Sequence, residues 1–284
     1  MIVFLNGRLV PETQAVVSVF DRSFLYGDGL FEVMRVCGGR PFRWAEHFNR
    51  FQRGAAFLKI QVPFAEGDLR KQALQLIERN GMPESLLRMT LSRGVGLRGY
   101  SPKGADSPAL VMTLHPAPDA DGQPPPRWSV MTASFRLPAN EPLAQFKTCN
   151  KLPQILARAE AEAVGADEAL LLNTNGQVVE GSTSNLFWVK DGVVCTPPLA
   201  SGILAGVTRL VVMEICEKLG VPAKEAGVTP AELRGVDGAF LSLSSWGVVE
   251  ISSLDGHKLA GSALTGKISK AYQEMTGAGE DCPA

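Results

Sequence analysis

Histidine is scarce in this chain, and its cysteines are dispersed. Three histidines (His47, His115, His257) and five cysteines (Cys37, Cys149, Cys195, Cys216, Cys282) contain no C-x-x-C pair. That argues against a zinc cage, and indeed against any resident metal, and predicts reduced thiols buried mostly as small hydrophobes. Neither sign of charge is in excess, since 28 Lys and Arg stand against 29 Asp and Glu. Proteins that bind nucleic acid or anionic membranes carry a basic footprint, so neither partner is expected. No apolar run approaches the length of a membrane span. The opening residues, MIVFLNGRLV, lack both a basic segment and a long apolar one, so no secretory leader is expected and the chain reads as cytoplasmic. Internal repeats and low-complexity blocks are missing too. What remains is ordinary globular composition, 45% hydrophobic and 20% charged, over 284 residues. Two domains of ordinary size suit that length.

The break between them falls at PAPDADGQPPP, residues 116–126, where proline density forbids a helix or a central strand. It predicts domains over 1–115 and 127–284. In the first, apolar runs predict strands at 2–5, 30–36, 86–92 and 109–115, and helices near 45–58 and 68–80. Phe48, Phe51, Ala55 and Leu58 recur at three- and four-residue spacing and give the first helix one apolar face. In the second, Asn175-Gly176, Asp191-Gly192 and Asp255-Gly256 mark tight hairpins. Helices are expected from Pro153 to Val164, stopped by Gly165, and from Val207 to Leu219, ended by Gly220.

Two nucleotide-like motifs carry no nucleotide chemistry. Gly94-Val95-Gly96-Leu97-Arg98-Gly99 fits G-x-G-x-x-G, but a dinucleotide site needs a helix to open there, and a Pro- and Ser-rich stretch follows instead. Gly261 to Lys267 imitates a phosphate loop, but Ile268 replaces the hydroxyl residue that would hold magnesium.

Reactive-lysine chemistry needs an amine, a carbonyl partner, and something to hold that partner. Lys147, in Phe146-Lys147-Thr148-Cys149-Asn150, stands just before a predicted helix. Glu180, in Val178-Val179-Glu180-Gly181-Ser182-Thr183-Ser184-Asn185, is an acid at a predicted strand end. Gly202 to Arg209 leads glycine and threonine into a helix start, a natural phosphate cup. Lysine, acid and phosphate cup are the three fixtures that pyridoxal 5'-phosphate (PLP) requires. Singly, each has a duller reading as a solvated lysine, a flanking acid or an ordinary helix cap.

Together they sit in a chain that resembles the fold-type IV PLP enzymes, the class-IV aminotransferases and aminodeoxychorismate lyases. The resemblance runs through Asp21 to Glu32 (DRSFLYGDGLFE), His47-Phe48-Asn49-Arg50, Lys147 to Asn150, Glu180 to Phe187 and Leu204 to Arg209, five ordered motifs at family spacing. It implies an α/β fold with a small N-terminal α/β domain and a larger C-terminal α/β pseudo-barrel domain that binds the cofactor. Loops of one subunit close the other's site in such enzymes, so it also implies a homodimer. Lys147 would be the Schiff-base lysine and proton shuttle, and Glu180 would bond the pyridine nitrogen. Arg50 would grip the phosphate, joined by Thr208, the amides of Gly206 and Val207, and Ser244. Leu204 would press on the ring. His47 is expected to be a buried or capping residue that positions the Arg50 helix, not a catalyst. Arg98 with Tyr100 resembles the pair that captures a substrate carboxylate, with Arg35 and Arg88 as competitors, and Tyr26, Val33 and Ser245 complete the candidate substrate contacts.

Two reactions compete. Arg93 to Ser101, Asn150 to Gln154 and Ala166 to Leu170 all look like the lyase that releases p-aminobenzoate and pyruvate. That lyase carries threonine where this chain has Val33, and valine offers no proton to a leaving group. The segment therefore favours transfer of an amino group between an amino acid, of branched-chain or D type, and a 2-keto acid, with the lyase as alternative. A third reading, an idle PLP-binding protein, has little use for Lys147, Glu180 and Arg50 together.

Overall fold

The computed structural model describes residues 1–118 and 126–277. The chain divides into two compact units, and residues 146–150 cluster with the first although they follow the start of the second. Most of the expected linker, residues 119–125, lies outside the described residues, as does Cys282.

The first unit contains β1 (Ile2–Leu5), β2 (Arg8–Pro11), α1 (Arg22–Tyr26), β3 (Gly29–Cys37), β4 (Arg40–Pro41), α2 (Trp44–Leu58), α3 (Glu66–Asn80), β5 (Ser85–Ser92) and β6 (Ala109–Pro116). Its strands form one sheet in the order β2-β1-β6-β5-β3-β4. In β3 the alternation puts Leu30, Glu32, Met34 and Val36 on the buried face and Phe31, Val33 and Arg35 on the other. The buried face joins Phe48, Phe51 and Ala55 of α2 and Leu69, Ala73, Leu76 and Ile77 of α3 in one core. The apolar spacing in the first expected helix thus marks its packed side. Helix α1 is not legible in apolar periodicity. It is held by a local cap, with the Asp21 side chain accepting the Ser23 N–H and Gly27 in the left-handed region at φ 67°.

The second unit contains β7 (Arg127–Leu137), α4 (Leu152–Ala163), β8 (Glu168–Asn173), β9 (Val178–Gly181), β10 (Asn185–Lys190), β11 (Val193–Thr196), α5 (Val207–Lys218), β12 (Ala223–Glu225), α6 (Pro230–Leu233), β13 (Gly238–Leu243), β14 (Gly247–Leu254), β15 (His257–Lys258) and α7 (Ala263–Gly277). Its strands run in the order β12-β11-β10-β13-β14-β7-β8-β9, and β9 also pairs β10. That last pairing, Asn185 opposite Glu180, closes β10-β13-β14-β7-β8-β9 into a ring, the pseudo-barrel that the sequence resemblance implies. Leu170, Leu172, Val178, Leu186, Leu241, Val249 and Ile251, from β8, β9, β10, β13 and β14, share one core, whereas Ala157 and Ala161 of α4 pack with Ala169, Leu171 and Val179 in another.

The expected hairpins differ in kind. Asp191-Gly192 and Asp255-Gly256 have both residues at positive φ, the twist a two-residue hairpin needs. At Asn175-Gly176 only the glycine does, because the Asn173 side chain accepts the N–H groups of Asn175 and Gln177 and shapes a wider turn. No helix opens at Gly94 to Gly99, as the reading of that stretch as a loop requires.

Candidate active site

Lys147 sits on a short extended segment, not at the end of a helix or regular strand. Strand β4 is only two residues long and pairs β3 only at Val36 and Cys37, which leaves the edge near Gly29 to Phe31 for another partner. Residues 147–149 take it. The Phe31 N–H donates to the Lys147 carbonyl at 2.8 Å, and the Cys149 N–H donates to the Gly29 carbonyl at 2.9 Å. These bonds make Lys147 part of the first unit. Its Nζ lies 4.9 Å from the centre of the Phe31 ring, and the guanidinium of Arg88 lies 3.9 Å from the same centre. Two cations against one ring form a polarised aromatic cluster.

Behind this surface lies a group of charges that the motif reading left unconnected. Glu32, on the core side of β3, is 1% exposed. Arg50 reaches it from α2 in a fork, Nε to Oε1 at 2.7 Å and Nη2 to Oε2 at 2.6 Å. His47, one turn earlier, places Nδ1 2.8 Å from Oε2. Burial would raise the Glu32 carboxyl, but the Arg50 charge and hydrogen bonds, aided by His47, outweigh it and hold the pKa at about 2. Burial lowers the pKa of His47 even against the pull of Glu32, and its Nδ1 lies against the carboxylate. His47 is thus buried and tied to the partner of Arg50, and Arg50 is one half of a buried ion pair.

In the second unit Glu180 occupies the strand that closes the ring. A bulge in the β8–β9 pairing falls between Leu171, opposite Glu180, and Leu172, opposite Val178. Such a bulge re-aims the neighbouring side chain. The Leu204 N–H donates to Glu180 Oε2 at 3.0 Å, and Asn185 Nδ2 donates to the same oxygen at 3.3 Å and to the Leu204 carbonyl at 3.0 Å. Asn185 therefore ties the acid to the segment leading into α5. Gly206 caps that helix, and a Cβ there would run into the Asn185 amide, so glycine is required for contact rather than for an unusual φ. No side-chain hydrogen bond caps α5, which presents its first-turn amides and the buried Thr208. Behind Glu180, the fully buried Glu168 accepts hydrogen bonds from the backbone and hydroxyls of Ser182 and Thr183 and from the Ser184 hydroxyl. It fixes the turn between Glu180 and Asn185. Ser244 and Ser245 lie half-buried in the turn between β13 and β14.

The candidate substrate residues all belong to the first unit except Ser245. Val33 lies opposite Arg88 in the β3–β5 register, beside Phe31. Arg88 also donates to Thr90 at 3.3 Å, and Arg35 faces Glu84 at 3.5 Å. Tyr26 is half-buried with its ring 5.6 Å from that of Tyr100, while Arg98 and Tyr100 are exposed. Sequence reasoning missed Glu32, Asn185 and Glu168 as holders of Arg50 and Glu180. A signal existed for Glu32, an acid in the apolar phase of a strand. Among the described residues no group of three or more His, Cys, Asp or Glu could hold a metal.

The chain is similar to known proteins over most of its length. The class IV aminotransferase family model matches residues 29–254. A putative branched-chain-amino-acid aminotransferase of Methanocaldococcus jannaschii is 34% identical over 96% of this chain and 94% of its own. A D-alanine aminotransferase of Bacillus licheniformis is 30% identical over 96% of this chain and 95% of its own. Among solved structures, the branched-chain aminotransferase of Thermoproteus uzoniensis with norvaline superposes with a TM-score of 0.92 at 32% identity, covering 99% of this chain and 96% of that one. A putative 4-amino-4-deoxychorismate lyase of Legionella pneumophila gives 0.85 at 26% identity, covering 93% and 96%. The match over most of the chain, on a fold with a closed strand ring and a separate six-stranded sheet, places this chain in the class IV aminotransferase family.

Proposed function

We propose that the protein is a PLP-dependent transaminase that moves an amino group between an amino acid, of branched-chain or D type, and a 2-keto acid. The residues present fit the cofactor. An uncapped helix start with Gly206 at its cap suits a phosphate, and a carboxylate whose Oε2 is fixed by two donors suits a ring N–H. When bound, PLP supplies an aldehyde and a ring that withdraws electrons from the substrate's α-carbon. Lys147 Nζ would be the covalent anchor and the base that carries the α-proton. Glu180 would hold the ring nitrogen protonated, its Oε2 fixed by Asn185 and the Leu204 amide. Thr208, Ser244, the amides of Gly206 and Val207, and Arg50 would hold the phosphate, and Leu204 would bear on the ring. Arg50 gives Nε and Nη2 to Glu32, so its guanidinium is already oriented and a phosphate would meet its other donors.

The observation that carries transamination over elimination is Val33. It stands beside Phe31 and opposite Arg88 on the face of β3 away from the core, and has no proton to give an enolpyruvyl leaving group. A screen of L- and D-amino acids against 2-keto acids, run beside an aminodeoxychorismate assay, tests the reading. Amino transfer that depends on the keto acid is expected. Release of p-aminobenzoate and pyruvate without a keto acid would establish the lyase instead. The same reading includes a homodimer working in the cytoplasm, built from domains 1–115 and 127–284 joined through 116–126, with neither nucleic acid nor membrane as partner. The near balance of charge speaks against nucleic acid and anionic membrane as partners, and among the described residues no helix is long and apolar enough to cross a membrane.

A further inference from the structure

The glycines of the loop between β5 and β6 serve no dinucleotide, and their spacing has another physical cause. Gly94 and Gly99 take φ of 90° and 106°, conformations that L side chains rarely adopt. Gly96 has an ordinary φ, but a Cβ there would lie 2.9 Å from both Arg22 Cδ and Ala105 Cβ. The loop is wound closely around Arg22. That side chain is 3% exposed and spends its guanidinium on the loop's backbone. Nη1 donates to the carbonyls of Gly99 at 2.9 Å and Ser101 at 3.2 Å, and Nη2 donates to that of Tyr100 at 3.2 Å. Nε donates to Asp28 at 2.8 Å. The Arg22 N–H donates to the Gly94 carbonyl at 2.9 Å, and the Gly99 N–H donates to the Tyr26 hydroxyl at 3.2 Å.

Arg93 anchors the start of the same loop. It bonds both oxygens of Asp28, at 2.8 and 3.0 Å, and donates to the carbonyls of Leu58 and Lys59. Asp28 thus joins the two arginines, one at the loop's start and one at its crest. Burying a cation against backbone carbonyls is costly unless its donors are satisfied, and here Asp28 and three successive carbonyls satisfy them. Arg98 and Tyr100 project from the stretch so fixed, and both are exposed.

We propose that Arg22 is a positioning residue that sets selectivity for substrates bearing an α-carboxylate, by fixing the backbone from which Arg98 and Tyr100 project. The proposal rests on the reading of Arg98 and Tyr100 as carboxylate contacts. A carboxylate gripped equally before and during the reaction affects KM and leaves kcat alone. A loop released from its clamp must be ordered by the substrate when it binds, so the loss falls on KM.

The test uses the holoenzyme, with the amino acid and keto acid it turns over best and with the decarboxylated amine of that amino acid. Arg22→Lys keeps the charge beside Asp28 but cannot span three carbonyls. Gly96→Ala keeps every charge and displaces the Arg22 stem, so it carries the test if the lysine variant does not fold. Each is expected to raise KM for the amino acid about tenfold or more, with kcat within about threefold of the parent. The decarboxylated amine should react at the parent's rate, and trypsin should cut faster after Arg98. Arg98→Ala should raise KM similarly, and combining it with Arg22→Lys should add little. A parental KM in both clamp variants, with KM raised in Arg98→Ala, would overturn the clamp. Unchanged KM in both Arg98→Ala and Tyr100→Phe would overturn the carboxylate reading and the proposal with it. Equal losses on the amino acid and on its amine would reduce Arg22 to a structural residue.

Discussion

Replacing Glu32 by Gln removes one negative charge from a buried cluster and almost none of its volume. Arg50, 5% exposed, would then keep its charge beside an amide that cannot balance it. The size of the effect follows from the carboxyl's own proton affinity, held at about 2 against an ordinary 4.5. Each tenfold change in proton affinity is worth about 1.4 kcal/mol, so the charged carboxylate contributes about 3 kcal/mol to folding. The sign is fixed by the direction. A carboxyl whose pKa falls on folding contributes fully above its unfolded pKa, and that contribution is lost as pH falls from about 4.5 towards 2. His47, whose pKa burial lowers, begins a loss of the same sign from its ordinary 6.5 downward. Native-state hydrogen exchange on peptides covering β3 and α2 reads the first unit separately. At pH 7 the variant should lose about 3 kcal/mol of protection there, and its deficit should shrink as the pH falls through 4. Loss of less than about 1 kcal/mol, with the parent's pH dependence retained, would refute the claim that Glu32 is ionised and paired in the folded chain.

Lys147→Ala should abolish turnover and the cofactor's visible absorption band, with far-UV circular dichroism unchanged, since its backbone bonds to β3 survive the substitution. Arg50→Ala should weaken PLP retention in dialysis and also cost about 3–5 kcal/mol in urea unfolding, because it strands Glu32. Glu180→Gln should keep the cofactor bound and slow amino transfer about a hundredfold or more in stopped-flow single turnover. Val33→Thr should raise p-aminobenzoate formation from aminodeoxychorismate above the parent's rate, at a cost of about 1 kcal/mol if the new hydroxyl finds no partner.

The sequence was most informative where chemistry is local. Lys147, the Glu180 strand and the glycine before α5 stand in short segments whose residue types point to the roles proposed for them, and the alternation in β3 and the Phe48–Phe51–Ala55 spacing reveal packed faces. The same alternation carried a further message in Glu32. An acid between Leu30 and Met34 on the inward phase demands a buried cation, and His47 and Arg50, three apart on α2, supply the partners. Long-range features stayed hidden. The capture of residues 147–149 by β3 depends on the shortness of β4, and the link from Asn185 to Leu204 depends on how the ring closes. Neither leaves a periodicity to read. The wrapping of Gly94, Gly96 and Gly99 about Arg22 shows why one glycine motif can mimic another, since both satisfy close backbone approach to a polar group.

The pairing of Asn185 with Glu180 is at once the joint of the strand ring and the seat of its acid. Strand pairing is quantised. A slip of one residue turns every side chain to the opposite face, and no half-slip exists. A molecule whose ring closed in the wrong register would lose the acid from its place and the Asn185 bond with it. Errors made while the chain matures should therefore divide a preparation into fully competent and inert molecules, rather than yield a population uniformly slowed. Specific activity would then count correctly closed rings.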